Sequence, residues 1–151
     1  FLRSNGKMWR DTIKKVDGQT ILLGGERYFL SFALMTDKDK TVTFTDDEAV
    51  KFSAIFPLEI GKTVNASHTY IHPSRGAIKQ DDKLEVTSSE SVIVPAGTYK
   101  TWIIKRKTYG TNYSSVFQCW FAPEIGYCAK HSTEDSLGNN VIFELQAVKT
   151  P

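Results

Sequence analysis

The stretch from Ser91 to Arg106, SVIVPAGTYKTWIIKR, limits what this chain can fold into more than any other. Val92, Ile93 and Val94 on one side and Tyr99, Trp102, Ile103 and Ile104 on the other are β-prone residues, and Pro95-Ala96-Gly97 stands between them. Proline withholds a ladder donor and glycine opens backbone angles closed to other residues, so the strand must bend or turn there. We read it as the kink of a sheet. Farther along, Gln118 to Cys128, QCWFAPEIGYC, places a second pair of apolar strands around a proline-containing turn and offers the first pair a partner.

The first third reads as a meander. Asn5-Gly6, Asp17-Gly18 and Gly24-Gly25 sit between β-prone runs, and such pairs favour the two-residue turns that match strand twist. The runs between them are 7–16, 19–23 and 26–35. In the last, Tyr28, Leu30, Phe32 and Leu34 alternate with Phe29, Ser31, Ala33 and Met35, which predicts one central strand covered on both sides. After a short strand at 41–44, Thr45 and Glu48 form a capping-box pattern that predicts a short helix over 45–52. Ile55 to Lys62 places apolar side chains around Pro57, as suits an edge or a plugging loop. Further strands are predicted at 63–71, 83–94, 99–108, 114–122, 127–132 and 141–148, with Gln80 to Lys83 and Lys130 to Ser136 left as loops. The sum is an all-β domain of about ten strands over residues 1–151: a strongly curved antiparallel sheet closing into a half-barrel or barrel, with one short helix.

Composition narrows the function classes. At 151 residues a chain buries roughly 70% of its unfolded surface, enough for an ordinary core without metal or disulfide. Mean hydropathy is −0.29 and no apolar run has the length of a membrane span. The 19 basic and 17 acidic residues are scattered, so nucleic acid is not an expected partner. Lys105-Arg106-Lys107 lies in a strand, where alternate side chains face opposite ways, and forms no single basic patch.

No catalytic signature is present: the nucleophile elbow, the phosphate loop and the dinucleotide fingerprint are all missing. His68 and His72 share a strand face but stand about 13 Å apart at the strand rise, too far to share a metal, so both are expected as solvated or core-rim residues, as is His131. No metal or cofactor is expected. Glu85, Glu90, Glu124 and Glu144 are the carboxylates available for acid–base pairing across strands. Cys119 and Cys128 flank one predicted hairpin, and two registers are open. If they face each other, a bridge is feasible; if Ala122 faces Tyr127, they are diagonal at ~7 Å and a bridge needs backbone movement. Trp9, Trp102 and Trp120, with Phe121 and Tyr127, are expected either to fill the core or, in a sheet that stays partly open, to line a groove for an apolar or amphipathic ligand.

The segments Val94 to Trp102, Trp120 to Tyr127 and Phe56 to Lys62 together resemble a pattern in uncharacterised bacterial envelope proteins. Those families are similar, at fold level, to the open curled sheets of the lipoprotein carriers LolA and LolB. The likeness covers about the C-terminal two-thirds of the chain and rests on structural turns. It implies a periplasmic or secreted domain without naming a ligand. The cysteines depart from that pattern, which has aliphatic residues near position 128. The expectation is therefore a non-catalytic envelope domain that binds an apolar small molecule, a lipid or an envelope protein through a groove or sheet edge. A purely structural interaction module and a hydrolase are the alternatives.

Overall fold

The structure is a computed structural model that describes residues 46–148 continuously and, before them, the backbone of six short strands; side chains are described for Glu48 and for 50–148, save the last few residues of the chain beyond. The strands ahead of the helix are β1 (Leu2–Arg3), β2 (Ile13–Asp17), β3 (Thr20–Leu23), β4 (Glu26–Phe29), β5 (Ala33–Thr36) and β6 (Val42–Thr43). Helix α1 (Asp46–Ser53) follows, then β7 (Thr63–His72), β8 (Gly76–Val94), β9 (Gly97–Gly110), β10 (Tyr113–Ala122), β11 (Tyr127–Asp135) and β12 (Asn140–Glu144). All pair antiparallel in one 12-stranded sheet, a continuous meander from β2 to β12 with β1 added beside β12. Among the described residues the fold is mostly antiparallel β with one short helix, and the two edges of the sheet, β1 and β2, do not pair with each other.

Covalent geometry forbids a flat arrangement. Residues 4–12 join β1 to β2 and reach at most about 36 Å when extended. Eleven inter-strand steps of ~4.8 Å would part those edges by about 53 Å in a flat sheet of this order. A second observation agrees. The Ala96 N–H, in the turn between β8 and β9, donates to the Leu145 carbonyl just past β12 at 3.1 Å. Three spacings, ~14 Å, would separate β9 from β12 in a plane.

The bend has local causes. Register slips between Val86 and Ser88 in β8, leaving Thr87 extra, and between Trp120 and Phe121 opposite β11, leaving Ala129 extra. Each is a bulge, which bends its strand and sharpens the twist. Beyond them the β8–β9 hairpin runs past the last β9–β10 pair, Trp102 with Phe121, and its tip folds across. Pro95-Ala96 is the two-residue turn of that hairpin, closed by the Val94–Gly97 pair with Gly97 at φ 139°. It is a chain reversal, and the kink expected there sits at Thr87.

Two cores result. On one face, Phe52 and Ile55 from α1 and its exit pack over Ala66, Leu84, Val86, Ile104, Cys119, Phe121 and Cys128. Glu48 secures the helix by accepting the Ser67 N–H at 2.7 Å on β7, reaching a strand where a capping box would have it reach back; Thr45 lies outside the described residues. On the opposite face, Val94, Ala122, Ala129 and Leu145 form a smaller cluster at the hairpin tip.

Several strand boundaries differ from expectation. The run 26–35 is not one strand but holds two, β4 and β5, paired antiparallel with Phe29 opposite Ala33. Gln80 to Lys83 and Lys130 to Asp135 are strand, since long neighbours pair with them despite their polarity. The last strand stops at Glu144, where Leu145 turns to donate its N–H to Ala129. Among the described residues twelve strands stand where about ten were expected, because of the extra short ones.

Cys119 and Cys128 are bonded, with Cα atoms 5.6 Å apart. Ala122 does face Tyr127, the register expected to keep the sulfurs apart, but the bulge at Ala129 supplies the backbone movement the diagonal pair needs. The bridge closes a short loop, so replacing both cysteines by alanine is expected to cost about 2–3 kcal/mol in urea unfolding. Complete alkylation of both thiols in the native protein without reductant would show that the bond does not form.

Candidate functional site

Strand alternation sorts the side chains onto two faces. Trp102 and Phe121 are directly paired and lie on the α1 side, where Tyr127 also packs against the main core, whereas Trp120 pairs with Ile103 and belongs to the other. The aromatic residues expected to line one groove are therefore divided between two surfaces, and Trp9 lies outside the described residues.

Trp120 braces the bent hairpin. Its indole N–H donates to Glu90 Oε1 at 2.7 Å, and the Lys130 ammonium sits 5.3 Å from its ring centroid while pairing with Glu144 at 3.3 Å. Together with the Thr101 hydroxyl, which donates to the Glu90 carbonyl at 2.9 Å, this ties the tip to the body of the sheet from the outer side.

Folding the tip away opens a groove of about 530 Å³ on the α1 side. It is lined by Ser89, Glu90, Ser91, Lys100, Thr101 and Trp102 of β8 and β9 and by Pro123 and Glu124 of the β10–β11 turn; the Glu90 carboxylate and the Thr101 hydroxyl are the ones already bonded on the outer side. Trp102 is half-buried and packs its inner edge on the main core. Among the described residues, the hydroxyls of Ser89 and Ser91, the Lys100 ammonium, the Glu124 carboxylate and the Trp102 indole N–H take part in no hydrogen bond or ion pair. An aromatic surface thus meets groups of both charges that the fold leaves unengaged, beside Glu90 and Thr101, whose side chains it does engage.

A second polar constellation lies deep in the main face. Asp82 Oδ2 accepts from His68 Nδ1 at 2.5 Å, and Oδ1 accepts from Arg106 Nε at 2.8 Å and from the Thr108 hydroxyl at 2.6 Å. The side chains of His68 and Asp82 are 4% and 0% exposed. His68, expected as a solvated or core-rim residue, is buried in the core. Burial pushes the Asp82 carboxyl up, but the His68 hydrogen bond and the Arg106 charge outweigh it and hold the group below the ordinary aspartate range. Around Asp82 of β8, β7 contributes His68 and β9 contributes Arg106 and Thr108, and the sequence offered no spacing by which to find them. His72 is set apart, accepting the Ser74 N–H at 3.2 Å in the β7–β8 turn. Gly110 closes this end of the face: a Cβ there would meet Gln80 Nε2 at 2.8 Å.

His131 stacks between Phe117 and Phe143, at centroid distances of 5.3 and 4.5 Å, and burial pushes it down from 6.5 to about 4. The acidic residues are dispersed: Glu85 pairs with Lys83 at 3.2 Å and Glu144 with Lys130. Lys105 and Lys107 face away from Arg106, as strand alternation requires. Among the described residues no group of three or more His, Cys, Asp or Glu side chains could hold a metal ion, and no helix is long and apolar enough to cross a membrane. No family model, no curated protein and no solved structure matches this chain.

Two outcomes follow from the buried groups. Asp82→Asn leaves Arg106 and His68 without their anion and is expected to cost about 3–5 kcal/mol in urea unfolding, with no comparable loss for the exposed Asp81→Asn. The His131 value is lower in the folded state, so its contribution to stability is complete above pH 6.5, declines as pH falls toward 4 and then levels off. That contribution reaches at most about 3 kcal/mol. His131→Phe should flatten this part of the stability profile, while the loss from Asp82, whose folded value is depressed, persists below about pH 4.

Proposed function

We propose that this chain is a non-catalytic binding domain of the bacterial cell envelope, periplasmic or secreted, whose curved sheet forms a half-barrel. Its groove at Trp102 takes an amphipathic ligand that presents a flat apolar face. The observation that carries this reading is the concentration of unengaged polar groups around one half-buried indole, in a groove whose size falls within the range of small-ligand sites. Ser89, Ser91, Lys100 and Glu124 are exposed, so each can exchange water for a ligand without breaking a bond of the fold.

Three further observations support it. The buried Cys119–Cys128 bridge suits an oxidising compartment. The bend at Thr87 and the Ala96–Leu145 bond suit a half-barrel. A hydrolase would find its acid–base pair in His68 and Asp82, but those side chains are sealed from solvent and a substrate does not reach them.

Titration with anilinonaphthalene sulfonate tests the groove. Trp102→Ala is expected to weaken probe binding roughly tenfold, a loss of about 1.4 kcal/mol, while Trp120→Phe on the opposite face leaves it within about twofold. Equal effects of the two substitutions, or no probe binding by the folded protein, would contradict the reading.

A further inference from the structure

We infer that the groove at Trp102 is a saccharide site, built for a pyranose ring of a neutral or N-acylated glycan chain. This inference rests on the groove reading above and names the chemical class of its ligand. The argument is one of matching inventories. A pyranose carries a patch of C–H groups on one face and hydroxyls around its edge, each hydroxyl both donor and acceptor. The groove offers the complement: Trp102 with Pro123 in the same lining, and around them Ser89, Ser91, Lys100 and Glu124, next to Glu90 and Thr101, whose side chains bond elsewhere in the fold.

An acyl chain fits the same indole but answers none of the edge groups. Covering Ser89, Ser91, Lys100, Glu124 and the indole N–H with hydrocarbon would strip each of water without a replacement bond, at about 1–3 kcal/mol for each group fully covered. That penalty would cancel the gain from burying the chain against one indole. A strongly anionic ligand would satisfy Lys100 but face Glu124, and a cation the reverse. An uncharged hydroxylated ring donates to Glu124 and accepts from Lys100 and the indole N–H at once. Charge-assisted hydrogen bonds of this kind are about twice as strong as neutral ones, which suits recognition of a ligand with no charge of its own.

The hairpin tip also fits an extended chain. Ser89 and Ser91 stand two residues apart along β8 and Lys100 lies opposite Ser91, so the floor presents successive polar groups along the strand direction.

Isothermal titration with cellohexaose and chitohexaose tests the assignment on the whole chain. Saturable binding of at least one is expected, weakened roughly tenfold by Trp102→Ala and about fivefold by the double substitution Ser89→Ala and Ser91→Ala. The two serines are exposed, so the double variant keeps its fold even if Trp102→Ala does not. If neither sugar binds while anilinonaphthalene sulfonate still binds in a Trp102-dependent way, the saccharide assignment fails and the groove reading stands. If neither class of probe depends on Trp102, both fail. Sugar binding unchanged in the serine variant would also overturn the assignment, by placing the glycan elsewhere.

Discussion

The hydrogen bond from the Ala96 N–H to the Leu145 carbonyl fixes the shape on which the rest of the molecule depends. It joins a hairpin tip to a segment that a flat sheet would hold three strands away, and so records how far the β-layer is bent. A meander this wide cannot bury an apolar face under a helix of 8 residues alone. Bending supplies the remaining cover. The extra residues at Thr87 and Ala129 concentrate that bend near one level of the sheet, and a second small core around Leu145 locks it.

From the bend follow the separate duties of the two central tryptophans. Both sit near the bulges, but alternation sends Trp120 outward to hold Glu90 and Trp102 inward to the groove. One indole has its N–H engaged by a carboxylate and its ring under an ammonium. The other has its ring on a core edge and its N–H unengaged among the described residues. The Asp82 cluster, at the far end of the same main face, is the reverse of the groove: its charges are satisfied and sealed, and their work is structural.

Much of the architecture was legible in the sequence, for identifiable reasons. Alternation of apolar residues gave the strands from Thr63 to Ala122 nearly in place, and the Thr45–Glu48 pattern located the helix within a residue. Polar strands were the failure. Gln80 to Lys83 reads as loop because Gln80 and Asp82 point into a buried polar cluster, a pairing that no local window contains. The run 26–35 read as one strand because a reversal without glycine or proline leaves no local mark. The groove was half legible: Trp102 was a candidate, but Ser89, Ser91 and Lys100 were not, since only the bend at Thr87 sets them beside it. Bulges have no residue signature, and both the bend and the route to the disulfide came from bulges.

Amide exchange and cross-strand NOE measurements at the hairpin tip test the bent sheet most directly. The account predicts that the Ala96 N–H exchanges slowly, like a ladder amide, and that the Val94 and Ala96 side chains show NOEs to Leu145. An Ala96 amide exchanging as fast as a solvent-exposed turn, with no contact between residues 94–96 and Leu145, would mean that the hairpin projects freely and that the groove beneath its tip is not a fixed feature of the fold.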